Sequence, residues 1–425
     1  MNRKLRQGIL PFRIEQSDEP LVARGGLILP YEMAKAIRLP EVIDRELPAP
    51  GSGHSYQPST FVMSLVLMLH GGGQKLEDMR EIKGEASLRE LLGLKELPVS
   101  CTIGDWLRRM GQDDRGLKGL ARVNKHEVSE VLRRDARVEY TLDVDATIIE
   151  AAKEEAKWTY KKEKGYQPLL GLVLADEFRD GNVPAGAGAV EFLKLCQQMM
   201  PQGKRIAYYR ADSASYQAGV MNSCVEQKMR FTITADQDRA VKDAIKKIGS
   251  QEWQPYEGDR QIAETVHTMN DTREAFRLIV QRWPKLQAEL FDPEPYCYHV
   301  IATNREGGAR EVVELHNQRG QAENFIKELK EGFGLSWMPC GESYDNAVFF
   351  RIGVIAYNLF QAMKLLSLPP WWRTSTIATV RWRLYQTAAK VVHHAHQVLV
   401  KLAAPGEKIK LLLQVRLRCL QMSYG

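Results

Sequence analysis

Three acidic residues stand where the chain's patterning changes, and their chemistry suits a shared cation site. Val138 to Asp145 alternates apolar and polar residues, the two-residue repeat of a strand, and ends on a carboxylate. Arg205 to Asp212 reads as another strand and ends the same way. In α/β sheets ligands gather outside the carboxyl ends of strands, so Asp145 and Asp212 can converge there. An aspartate at a strand end also serves as a helix N-cap, which is the plainer reading for either residue alone. Asp143 shares a strand face with Asp145 and is its rival on periodicity.

The third acid lies on a helix expected over Val312 to Glu331. At roughly 100° per residue, His316, Arg319, Glu323, Lys327 and Lys330 fall within about 80° of arc. Leu315, Ala322, Ile326 and Leu329 make an apolar stripe about a quarter turn away, suited to docking on a sheet. The polar face then carries one carboxylate among four potential cations. A solvated face with i,i+4 pairs such as Glu323 and Lys327 is the competing reading. Hard divalent cations such as Mg²⁺ take oxygen ligands. Two ions roughly 4 Å apart activate an attacking oxygen and stabilise a leaving one at a phosphodiester. Asp145, Asp212 and Glu323 suffice to hold such a pair, with Mn²⁺ as a substitute. Arg319 and Lys330 would then bind flanking phosphates.

The elements around these residues divide the chain. Residues 1–135 read as helical, including a buried helix from Phe61 to His70 stopped by Gly71 to Gly73. Pro98 to Arg109 reads as a turn, a hydroxyl cap and a short helix, a candidate DNA-reading element with Arg108 and Arg109 at its end. Residues 136–235 alternate strands and helices as a mixed α/β domain does. Residues 236–311 are irregular and strand-rich. Residues 312–366 hold two helices, the second apolar on most sides. Residues 367–425, opening with Pro369 to Trp372, form a basic, helical end.

Composition bounds the function. Hydrophobic residues make up 44% and charged residues 26%, the balance of a globular protein rather than of a disordered chain. No run of 18 apolar residues suggests a membrane span, and the first residues lack a signal peptide's apolar stretch, so a cytoplasmic protein is expected. The six cysteines form no C-x-x-C pair, against a zinc ribbon or disulfide framework. From Gln361 to Gly425 ten Lys and Arg face the single acid Glu407, so this end carries +9 of a chain whose total is +6. A basic end suits a polyanion, and Arg381 and Arg383 are its candidate phosphate contacts. His393, His394 and His396 lack Cys or carboxylate partners nearby and are read as packing or surface residues of a helix.

Taken together, these residues resemble the DDE transposases of bacterial insertion sequences. The helix keeps the spacing of their Y-R-E-K signature at His316, Arg319, Glu323 and Lys330, with His316 in place of the usual Tyr. A closer resemblance, to the insertion sequence 1380 group, rests on Leu142 to Thr147, Lys164 to Pro168, Asp176 to Asn182, Thr234 to Asp238, Gln318 to Phe325 and Arg351 to Asn358. The resemblance favours Asp145 over Asp143 as the first acid. It implies an RNase H-like mixed-sheet core with a strand-rich insertion and helical N- and C-terminal domains. It further implies excision at terminal inverted repeats and strand transfer into target DNA, by a homodimer on double-stranded DNA. An aromatic in the insertion, Trp253 or Trp283, would stack on a flipped base. The readings from other classes are a DNA-binding relative without chemistry and an RNase H-like nuclease.

Overall fold

The computed structural model describes residues 16–51, 55–146, 149–150, 157–158, 164–166, 169–171, 173–285, 294–395 and 397–424; the side chains of 146–171 and 321–323 are not among those described. Its centre is a nine-stranded sheet. In chain order the strands are β1 (Glu139–Ala146), β2 (Leu169–Gly171), β3 (Ala175–Glu177), β4 (Arg205–Ala211), β5 (Arg230–Thr234), β6 (Gln254–Pro255), β7 (Gln261–His267), β8 (Phe276–Pro284) and β9 (Tyr296–Thr303). Their spatial order is β6-β7-β8-β9-β5-β4-β1-β2-β3. β1, β4 and β5 run parallel, and every other pairing is antiparallel. The strand-rich segment after residue 236 is therefore no separate sheet. Its strands continue the core sheet through β9, which pairs with β5.

Alternation gives this sheet two unlike faces. Leu142, Val144, Tyr209, Ala211, Phe231, Ile233, Leu278, Val280, Val300 and Ala302 point to one side. There they pack against the helices Ala189–Met199, Ala218–Glu226 and Arg239–Lys246 through Phe192, Leu193, Val220 and Val241. The other face is apolar only where Ile262, Ile279 and Ile301 meet Val312 and Val313. Elsewhere on it lie Asp143, Arg210, Thr232 and Thr234, which the functional site uses.

A second core is mainly helical, with Val22, Ala389 and Val391 of a short sheet at its side. Helices α1 (Pro58–Gly71), α2 (Ser100–Gly111), α3 (Arg115–Arg133) and α6 (Ser343–Ala362) pack together with Ile28–Ala36 and Gly406–Ser423; α4 and α5 belong to the site below. The first 135 residues and the C-terminal end thus share one hydrophobic cluster. α6 with its continuation to Ser367 is long and apolar enough to cross a membrane by composition, but most of it is buried within this core. α1 ends at Gly72, whose φ of 100° only glycine adopts without strain.

The basic end departs from the expected helix. Ala389–His394 and Gln397–Leu402 form an antiparallel hairpin joined by Leu21–Val22. The β-branched residues Val391, Val392, Val398 and Val400 favour this form. His393 contacts Glu90 at 2.7 Å from that strand, and His396 lies outside the described residues. Only Gly406–Ser423 is a long helix here.

The two cores are joined by a polar seam. Arg351 of α6 donates from Nε to both oxygens of Asp176 in β3, at 2.9 and 3.2 Å, and from its other nitrogens to the carbonyls of Asp176 and Leu117. Asn358 donates to Asn124 of α3, which donates in turn to the Leu174 carbonyl. Asp176 is 3% exposed in this pair. Arg351→Met, which leaves that carboxylate buried without its cation, is expected to cost about 3–5 kcal/mol of unfolding free energy. Urea denaturation measures it; a loss below about 1 kcal/mol contradicts this role for the pair.

Candidate active site

The register of β1 on β4 decides the geometry. Val144 lies opposite Ala211 in a parallel ladder, so the next residues, Asp145, still paired with Leu170 of β2, and Asp212, just past β4, stand at neighbouring strand ends. Both sit at carboxyl ends of strands, as expected. Asp145 is 17% exposed at its side chain, and Asp212 is half-buried. Asp212 also accepts a hydrogen bond from the Ala214 amide at 3.1 Å and caps a short turn. Burial pushes the Asp212 carboxyl above its ordinary range; Arg319 pulls it down and Asp236 adds to the rise.

Asp143, the rival on periodicity, is engaged by a buried partner. Arg210 grips it bidentately, Nε to Oδ1 at 2.6 Å and Nη2 to Oδ2 at 2.7 Å, with both side chains under 10% exposed. The remaining guanidinium nitrogen, Nη1, donates to the Leu315 carbonyl at 2.7 Å. No single-strand pattern shows this pairing, because Arg210 is 67 positions away in the chain.

The expected continuous helix is broken. Helix α4 spans Ala309–Asn317, a turn at Gln318 and Arg319 follows, and helix α5 spans Gly320–Lys327 before a wider turn to Gly332. The Arg319 amide bonds the His316 carbonyl at 2.9 Å, closing the tighter turn. Glycine, a poor helix former, follows directly at 320. α5, which carries Glu323, packs against β1, which carries Asp145. The Glu323 side chain itself lies outside the described residues.

The break sends the signature residues in different directions. Arg319 turns inward, its Nη1 3.6 Å from Asp145 Oδ2. His316 is 3% exposed, and its ring nitrogens meet the hydroxyls of Thr232 and Thr234 at 3.1 and 3.0 Å. His316 is therefore no DNA contact: it docks α4 on β5. Burial, with His299 and Arg319 adding to it, lowers its pKa to about 3. Lys327 is exposed beside Glu331, and Lys330 is half-buried in the wider turn.

Other expected contacts separate likewise. Arg381 is inside the protein, donating to the carbonyls of Leu69, His70 and Gly332 at 2.6–2.8 Å. The Leu69 carbonyl also accepts from the Gly72 amide, so Arg381 adds to the capping of α1 and ties its end to the wider turn, and is not a phosphate ligand. Arg383 is exposed. Arg108 pairs with Asp105 at 3.0 Å on the outer face of α2, and Arg109 beside it is exposed. Trp253 is 8% exposed with the Arg282 guanidinium 3.8 Å from its ring, which leaves no face for an extrahelical base. Trp283 is half-buried with Arg260 4.9 Å above it. It lies on the same sheet face as His299, the neighbour of His316. Arg210 and Arg260 are the residues that sequence reasoning missed.

The donor set fits a divalent cation. Two hard carboxylates stand at neighbouring strand ends, Arg319 acts on both, and the helix bearing a third acid packs against β1. Among the described residues no three His, Cys, Asp or Glu side chains form a complete metal cluster. A sequence profile described as Transposase DDE domain group 1 matches residues 11–422, nearly the whole chain. The chain belongs to this family of DDE transposases, enzymes that act on DNA. No curated protein matches it.

The buried imidazoles give a pH prediction. His316 and His70, also lowered to about 3 by burial, stay neutral in the fold, whereas both ionise near 6.5 when unfolded. Below pH 6.5 the unfolded chain takes up protons that the fold refuses, so stability falls as pH drops toward about 3. Each histidine contributes up to about 1.4 kcal/mol per pH unit. His316→Gln is expected to flatten that fall between pH 6.5 and 4.5; equal slopes in urea denaturation would show that His316 is not held neutral.

Proposed function

We propose that the protein is an insertion-sequence transposase of the 1380 group, excising and inserting its element at terminal inverted repeats. The observation that carries this reading is the pairing of β1 with β4, which sets Asp145 and Asp212 side by side next to the helix of Glu323. The order β3-β2-β1-β4-β5, antiparallel then parallel, supports an RNase H-like core extended by the insertion strands. The segment 1–135 and the basic end serve DNA binding in this reading, and two copies meet on the paired ends.

Asp145, Asp212 and Glu323 would hold two Mg²⁺ ions, which supply activation of the attacking oxygen and stabilisation of the leaving one. The chain's own groups position the DNA around them. Arg319 balances the carboxylates and contacts the phosphate next to the scissile one. Lys327, Lys330, Arg108, Arg109 and Arg383 track the backbone, and Trp283 stacks on an unpaired base.

Asp145→Ala, Asp212→Ala and Glu323→Ala are each expected to cut cleavage of an inverted-repeat duplex in Mg²⁺ by more than about 10³-fold, with end binding kept within about twofold. Substantial cleavage by purified Glu323→Ala protein would refute the assignment. Lys330→Ala is expected to weaken end binding and reduce the slope of log K against log salt by about 1. An unchanged slope, read by fluorescence anisotropy, argues against a phosphate contact.

A further inference from the structure

Asp143 and Arg210 each stand two residues before a site carboxylate, on the same strand faces as Asp145 and Asp212. Their pair therefore lies one pleat beneath the two carboxylates. It is tighter than a charge balance requires. The guanidinium spends two nitrogens on Asp143 and directs the third out of the sheet to the Leu315 carbonyl, with Gln318 Oε1 3.4 Å from the same nitrogen.

Leu315 belongs to the last turn of α4, whose carbonyls have no partner within the helix. A fixed cation there satisfies the orphan group and suits the negative end of the helix dipole. Immediately after this turn the chain bends at Gln318 and Arg319 and becomes α5. The end of α4 is thus tied to β4, and through Asp143 to β1, at the point from which the Glu323 helix departs. His316 holds the same turn from β5. Lysine cannot replace this fork, since one ammonium does not reach a bidentate carboxylate and a carbonyl in fixed directions together.

We infer that Arg210, held by Asp143, is the positioning residue that sets the Glu323 helix against Asp145 and Asp212 and so fixes the cation affinity of the site. The inference rests on the carboxylate assignment of the proposed function. It makes Arg210 more than a stabilising ion pair, because removing it changes the site's grip on cations even when the fold survives.

The test is an electron paramagnetic resonance titration of the full chain with Mn²⁺ alone, beside thermal melting. The double variant Asp143→Leu/Arg210→Leu removes both charges together and leaves no buried ion unpaired. It is expected to keep a cooperative melt while its half-saturating Mn²⁺ rises about tenfold or more. Arg210→Lys, which keeps the charge at Asp143 but loses the fork, is expected to show the same direction of shift and serves if the double variant does not fold. Mn²⁺ binding that matches the unaltered chain in a folded variant overturns the role of Arg210 alone. Binding by the unaltered chain that is insensitive to Asp145→Ala and Asp212→Ala overturns the carboxylate assignment itself, and Arg210's role with it.

Discussion

The parallel register of β1 on β4 brings two carboxylates, Asp145 and Asp212, to neighbouring strand ends, and the rest of the site is arranged around that placement. Burial raises the Asp212 carboxyl above its ordinary range, and Asp236 adds to the rise. The fold answers with cations on two levels. Arg210 neutralises Asp143 beneath the pair, and Arg319 comes to 3.6 Å from Asp145 above it. The lower cation is buried and fixed by three hydrogen bonds. The upper one belongs to a turn between two helices, where it can be exchanged for other positive charge.

The surrounding architecture holds that frame still. The apolar face of the sheet takes a helical layer, which leaves the other face free for the polar residues that meet α4. The helical core is pinned to the far edge of the sheet by Arg351 on Asp176. Arg381 ties α1 to the turn that follows the Glu323 helix, since one guanidinium bonds both sets of carbonyls. Arginine on a backbone carbonyl recurs among these links, at Arg351, Arg381 and Arg210, beside the Asn358–Asn124 bond.

Much of this was legible in the sequence. The two-residue repeat marked β1 and β4 with their terminal aspartates, and Gly71 to Gly73 marked the end of α1. What escaped were features set by distant partners. Asp143 and Asp145 share a face, so periodicity alone could not choose between them; Arg210 does. The polar arc of His316, Arg319 and Glu323 assumed one straight helix, whereas Thr232 and Thr234 draw His316 inward and the chain bends at Gln318. Arg381 reads as a member of a basic end, yet its guanidinium lies inside the protein on the carbonyls of Leu69, His70 and Gly332. In the hairpin of residues 389–402, the basic and apolar run reads as helix, although it is rich in β-branched valine. Trp253 and Trp283 are indistinguishable by type, and only burial under Arg282 sets Trp253 aside. The strand-rich insertion was seen as strands, but nothing local announces that β9 pairs with β5.

The central claim is that Asp145, Asp212 and Glu323 bind cations together. Anomalous diffraction from crystals of the protein grown with Mn²⁺ and a DNA end tests it most directly. The account predicts two manganese peaks roughly 4 Å apart, both bounded by these three side chains, with Arg319 withdrawn toward a phosphate. Manganese elsewhere, or Glu323 turned away from an occupied Asp145 and Asp212 pair, would contradict it.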